Sequence, residues 1–150
     1  MEVARLRAFL RRHRRVALDT CILIYQWEAS LRYSPLTDGI FSSVERSDLS
    51  AVTSTITMTE LLVHPYREGD VVRVNEILGL LSTYPNLEWV APQLDIAARA
   101  AELRAQYGLR TPDALQAATA VHSNATAFLT NDPVFRRIKS FEACILDDFV

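Results

Sequence analysis

Only two cysteines occur in the chain, Cys21 and Cys144, and neither belongs to a CxxC pair or to metal-finger spacing. Both lie in apolar runs, which reads as buried, reduced thiols in a reducing cytosol and not as a disulfide framework. The four glycines compose neither GxGxxG nor a P-loop, so the common dinucleotide and nucleoside-triphosphate cradles are excluded. No run of about 18 uncharged apolar residues exists, so no membrane-spanning segment is expected. The arginine-rich start lacks the apolar stretch of a secretory signal, and the expected location is cytoplasmic. Low-complexity tracts, internal repeats and linkers are absent too.

What remains is a folded composition: 150 residues, 49% hydrophobic and 23% charged, enough for one domain with a real core. The formal net charge of −2 hides an asymmetry. Residues 1–15 hold Arg5, Arg7, Arg11, Arg12, Arg14 and Arg15 against Glu2, or about +5. The other residues hold the ten remaining basic side chains against seventeen acidic ones, or about −7. A basic segment on an acidic body suggests a polyanion contact, a clamp on a partner or body, or merely a solvated helix face. The chain divides into a basic, helical N-terminal arm over 1–15 and a domain over 16–150.

Within the domain, short β-favouring runs alternate with longer helical patterns. Strands are predicted over 16–18, 51–54, 87–90, 126–129 and 143–146. Helices are predicted over 21–29, 36–47, 57–65, 69–83, 93–107 and 112–123, the fifth stopped by Gly108. Such alternation implies an α/β domain with a mostly parallel sheet covered on both faces. Ligands of such sheets bind at the carboxyl ends of the strands. Four acids map to that edge. Asp19 follows the first strand within VALDTCILIY, and Glu60 stands in the first turn of the helix after the second. Asp113 opens the helix over 112–123, and Asp132 follows the strand over 126–129.

Each acid has an innocent explanation as well. Asp19 and Asp132 suit helix caps. Thr57-Met58-Thr59-Glu60 matches a capping box, and Thr111-Pro112-Asp113 matches a cap, a first-turn proline and a dipole-favoured acid. Together, however, four converging carboxylates repel unless something positive sits among them, and only Arg110 is near one of them in sequence. Arg110 is placed either to touch a scissile phosphate or to bridge a pocket carboxylate. A hard divalent cation, Mg²⁺ or Mn²⁺, resolves the conflict. The chemistry that such acidic rims serve is phosphoryl transfer.

Three segments carry a resemblance: LDTCILIY around Asp19, TMTELLVHPYREGD around Glu60, and LRTPDALQAATAVHSNATAFLTNDPVF around Asp113 and Asp132. In order and spacing they resemble the PIN-domain family, and within it the VapC-like ribonuclease toxins of type II toxin–antitoxin systems. TPDALQAATA followed by FLTND is the most specific part. The resemblance covers 16–138. It implies a Rossmann-like three-layer α/β/α sandwich whose five-stranded sheet runs 3-2-1-4-5. It further implies an Mg²⁺- or Mn²⁺-dependent endoribonuclease cutting RNA phosphodiesters with metal-activated water. By that likeness Asp19 and Asp113 are the principal metal ligands, and Glu60 and Asp132 complete the pocket. Thr130 and Asn131 would orient the Asp132 carboxylate or the water. The partners implied are an RNA substrate, a second copy in a homodimer and a small cognate antitoxin.

The fifteen residues before the first strand depart from the family pattern, which assigns them no role. The alternatives are a PIN-fold RNA- or protein-binding module without nuclease activity, and a PIN nuclease that is no toxin. Phosphatases that also start from a strand-end aspartate need a second acid two residues on, where Cys21 stands. His64 is expected to be structural, because Pro65 follows it and HExxH is absent. Trp27, Trp89 and Tyr25 are expected to pack rather than stack bases.

Overall fold

The first strand, β1 (Arg15–Leu18), shows why the sheet is buried on both faces. Val16 and Leu18 enter one apolar cluster and Ala17 the other, the alternation that a pleated strand imposes. In the computed structural model, which describes residues 1–150, four more strands join it. They are β2 (Ser50–Ser54), β3 (Leu87–Val90), β4 (Ala127–Thr130) and β5 (Glu142–Ile145). The sheet order is β3-β2-β1-β4-β5 and every neighbouring pair is parallel. The fourth strand thus lies one residue later than its sequence pattern predicts.

Parallel neighbours need crossovers, and seven helices supply the covering layers. α1 (Glu2–Leu10), α2 (Thr20–Trp27), α3 (Ser34–Glu45), α4 (Thr55–Arg67) and α5 (Val71–Ser82) bury side chains against one face. α6 (Leu94–Tyr107) and α7 (Thr111–His122) cover the other, completing a three-layer α/β/α sandwich. Gly108 closes α6 in the left-handed region at φ 68°, where a side chain would strain the backbone. α7 meets the sheet through Ala114, Ala117, Ala118 and Ala120, all fully buried. Those small side chains let its polar positions approach the strand ends closely.

The arginine-rich start is built into the body. Leu6, Phe9 and Leu10 of α1 are buried in the larger cluster, and the helix packs on α3 and on the C-terminal 3-10 turn Leu146–Phe149. Three of its arginines clamp it down. Arg5 donates to the Asp148 carbonyl (3.1 Å) and lies over the Phe149 ring. Arg12 pairs with Glu142, and Arg15 holds Glu88, Ser50 and the Ser123 carbonyl. Both cysteines are free thiols, and burial pushes each up to about 12. No helix is long and apolar enough to cross a membrane.

If α1 belongs to the core, Leu6→Ala is expected to cost about 2–5 kcal/mol in urea unfolding, as buried leucines do. A solvated arm would lose less than about 0.5 kcal/mol.

Candidate active site

In the order β3-β2-β1-β4-β5 the chain reverses direction of growth between β1 and β4, and the crevice at that switch point is where α/β sheets bind ligands. Asp19 sits in it. Its backbone N–H donates to Leu129 O (2.9 Å), prolonging the β1–β4 ladder by one residue. Its carboxylate then accepts from Thr130 Oγ1 at 2.6 Å and from the Thr20 N–H at 2.9 Å. Asp19 therefore does cap α2, and it also faces the rim. Desolvation, and to a lesser extent the charges of Asp113 and Glu60, push its pKa up to about 6 against those two bonds. No cationic side chain contacts it.

Glu60 is delivered from the neighbouring strand. α4 starts at Thr55, two residues earlier than its periodicity predicts, because Ser54 caps it through the Ile56 N–H (3.2 Å). The expected capping box therefore does not form, and Glu60 falls in the second turn. Thr57 is instead fully buried, 2.8 Å from Thr53 Oγ1. Thr20 Oγ1 donates to Glu60 Oε1 at 2.7 Å, which ties the residue after Asp19 to the second acid.

Asp113 opens α7 from the far layer. Arg110 Nε donates to Asp113 Oδ2 at 3.1 Å, and Arg110 is largely exposed while Asp113 is mostly covered. The bond to Asp113, and at longer range the charges of Asp132 and Glu60, hold the guanidinium more firmly charged. Of the two placements open to Arg110, the bridge to a pocket carboxylate is present. Three residues along α7, the buried Gln116 donates to Thr57 Oγ1 (2.8 Å) and Thr20 Oγ1 (3.4 Å). Gln116 thus links the helices carrying Asp113, Glu60 and Asp19. Sequence reasoning passed over Thr20, Thr53 and Gln116 and took Thr57 for a helix cap. Their signal was polar residues at positions where periodicity demands core.

Asp132 sits more exposed on the same edge and caps the 3-10 turn Pro133–Arg137 through the Val134 N–H (3.0 Å). Thr130 Oγ1 accepts from the Asp132 N–H (3.1 Å), so Thr130 bridges Asp132's backbone and Asp19's carboxylate. Asn131 turns elsewhere. Its amide donates to Tyr25 Oη (3.2 Å) and accepts from the Asp147 N–H (2.8 Å), bracing the C-terminal turn. His64 pairs with Glu68 on the exposed side of α4. Trp89 packs with its indole N–H on the Leu81 carbonyl, and Tyr25 stacks on Tyr33.

No three acids, histidines or cysteines are close enough to cage a metal ion by themselves. The donor set nonetheless fits Mg²⁺ or Mn²⁺. These ions take oxygen ligands, keep several waters and need only one or two carboxylates. Asp19 is a desolvated carboxylate that other acids face and no cation offsets. Asp19 and Asp113 would hold the ion, with Glu60 and Asp132 beside it.

A family model described as PIN domain matches residues 16–140. No curated protein matches the chain. Among solved structures, the chain is similar to a toxin–antitoxin complex from Klebsiella pneumoniae, with 23% identity, TM-score 0.63, and 87% of this chain and 97% of that one covered. VapBC2 from Rickettsia felis bound to a promoter DNA fragment gives 19% identity, TM-score 0.67, and 87% and 98% coverage. DNA-bound VapBC from Salmonella typhimurium gives 16%, 0.68, and 89% and 98%. At these identities the likeness is one of fold.

The native state without metal holds the Asp19 proton more tightly than the unfolded chain, whose carboxyl titrates near about 4. The resulting stabilisation is fully present below about 4 and is lost as pH rises through about 6. In chelator, the urea midpoint is expected to fall across that window, and Asp19→Asn is expected to flatten the fall. A midpoint that rises through the window in wild type would contradict the assignment.

Proposed function

This chain belongs to the PIN-domain family, and from that premise we propose that it is a divalent-metal-dependent endoribonuclease, the toxin of a toxin–antitoxin pair. The observation that carries the reading is the desolvated Asp19 carboxylate at the switch point, facing Glu60 and Asp113 with no cation of its own. A bound Mg²⁺ or Mn²⁺ supplies Lewis acidity, easing deprotonation of water and offsetting charge on the phosphorus oxygens.

The chain's own residues do the rest. Asp19, pinned by Thr130 and the Thr20 N–H, and Asp113, steadied by Arg110, fix where the ion and the phosphodiester stand. Glu60 is held through Oε1 alone, which leaves its second oxygen to take up the proton of the attacking water. Water oxygen bonds to phosphorus as the bond to the 3′-oxygen breaks. The products are a 5′-phosphate and a 3′-hydroxyl. Arg110, exposed beside Asp113, reaches for the phosphate oxygens.

The partner reading draws on the similar structures, which are described as toxin–antitoxin complexes. It is also supported by an apolar cleft of about 360 Å³ lined by Leu23, Trp27, Phe41, Leu80, Leu81 and Tyr84. Such a cleft suits the apolar face of an antitoxin helix. Exposed Val71 and Val72 on α5 offer a second copy a surface.

Asp19→Asn and Asp113→Asn are each expected to lower Mn²⁺-dependent RNA cleavage by on the order of 10³-fold or more, while both fold. Equal cleavage by all three proteins would sink the site; RNA left intact by wild type would leave a binding module. Saturating Mn²⁺ is expected to raise the melting temperature of wild type and not of the double variant, because the ion binds only the native rim. An unchanged wild-type melting temperature would exclude metal binding there.

A further inference from the structure

The arginines of α1 that do not clamp it to the body have no assigned task. Arg7 and Arg11, the residue that caps the helix, are exposed, and neither side chain makes a hydrogen bond or ion pair within the protein. Both face the groove between α1 and α3. Two connected cavities of about 310 and 290 Å³ share Arg7, Ser43 and Arg46 in their walls. One reaches His13 and Leu49, just before the amino ends of β1 and β2. The other reaches Val3 and Pro35 at the opposite ends of both helices.

The groove therefore runs along α1 and α3 from the amino edge of the sheet toward the carboxyl edge on which the acids lie. Pro35 follows Tyr33, whose hydroxyl donates to Asp147 at 2.6 Å. The Asp147 N–H bonds Asn131, the residue before Asp132. A strand leaving the carboxylates past this corner would meet that end of the groove. The acids along it are already engaged: Asp48 with Arg46 (3.1 Å) and Asp38 with the Gln26 amide (2.9 Å). Arg7 and Arg11 are what the groove offers a ligand.

A protein ligand would need an exposed apolar anchor, since aromatic and aliphatic anchors carry protein interfaces. Here Leu10 and Leu49 are 7% and 3% exposed and spent on the core. Two free guanidiniums over a polar wall suit phosphates instead, which they grip in forked pairs. We propose that the α1–α3 groove is a phosphate track that holds the RNA strand beyond the scissile bond. The track rests on the ribonuclease reading above and adds to it a surface outside the carboxylate rim.

The test measures binding of single-stranded RNA of about 4 and about 16 nucleotides, lengths that bracket single-strand sites. Fluorescence anisotropy is read in chelator, so nothing is cut, over a range of salt. Arg7→Gln/Arg11→Gln is expected to bind the long RNA about tenfold more weakly, with a log–log salt slope shallower by about 1.4, two phosphates' worth. Arg7→Lys/Arg11→Lys is expected to keep the slope. Cleavage of the short RNA in Mn²⁺ is expected to be unchanged in both variants, and their melting temperatures close to wild type. Wild-type affinity and slope in the Gln variant, with RNA still cut, would overturn the track alone. A wild type that neither binds nor cuts RNA would overturn the ribonuclease reading with it. Arginine-dependent binding of poly-glutamate in place of RNA would assign the groove to a protein and overturn the proposal.

Discussion

The pairing of β1 with β4 sets the geometry of the whole carboxyl edge. Asp19 is still in the ladder through its N–H to Leu129 O, while its carboxylate accepts from Thr130 at the end of the facing strand. A one-residue slip would turn every side chain of β1 to the opposite face and carry Asp19 away from Thr130. The next residue on each chain then delivers the next part. Thr20 reaches Glu60 from the β1 side, and the Asp132 N–H is drawn onto Thr130 from the β4 side. A register chosen by apolar packing thus places charged groups whose mutual repulsion would otherwise spread them.

Behind the acids lies a polar network with no water-facing member. Gln116 donates to Thr57 and Thr20, Thr57 meets Thr53, and Thr53 donates to the Leu18 carbonyl at 2.9 Å. Buried polar groups are costly singly and rigid once all are paired. The network joins β1, β2, α2, α4 and α7, so Glu60 and Asp113 stand on braced helices and Asp19 at the braced junction of β1 and α2. Rigid support of this kind holds like charges in place before any cation arrives.

The α/β class and a mostly parallel sheet covered on both faces were legible because they rest on alternation and periodicity, which survive in a single sequence, whereas the strand order came from the family resemblance. The edge positions of Asp19, Asp113 and Asp132 were legible because each follows or opens an element there, whereas Glu60 stands a turn further into its helix than expected. What escaped was set by contacts distant in sequence. Thr57 resembles a helix cap locally, yet Gln116, 59 residues away, claims its hydroxyl. Asn131 sits next to Asp132 in the chain, yet its amide is taken by Tyr25 and the Asp147 backbone. The strand end dictates position, while tertiary partners dictate direction. The same holds for the N-terminus, where a charge count shows six arginines but not that Leu6, Phe9 and Leu10 bind their helix into the core.

Electrostatics then separates two tasks. The rim concentrates carboxylates and carries one guanidinium, Arg110, partly satisfied by Asp113. On the proposed reading, an RNA strand approaching that edge would meet like charge, which a divalent ion would offset only locally. Attraction over a distance has to come from another surface, and residues 1–15 concentrate positive charge on an otherwise acidic body. Three of those six arginines, Arg5, Arg12 and Arg15, are engaged with body groups; of the other three, Arg7 and Arg11 face open groove. Under the proposed ribonuclease reading this separation has a physical advantage: apart from Arg110, which pairs with Asp113, guanidiniums kept off the rim would leave its carboxylates free for a cation.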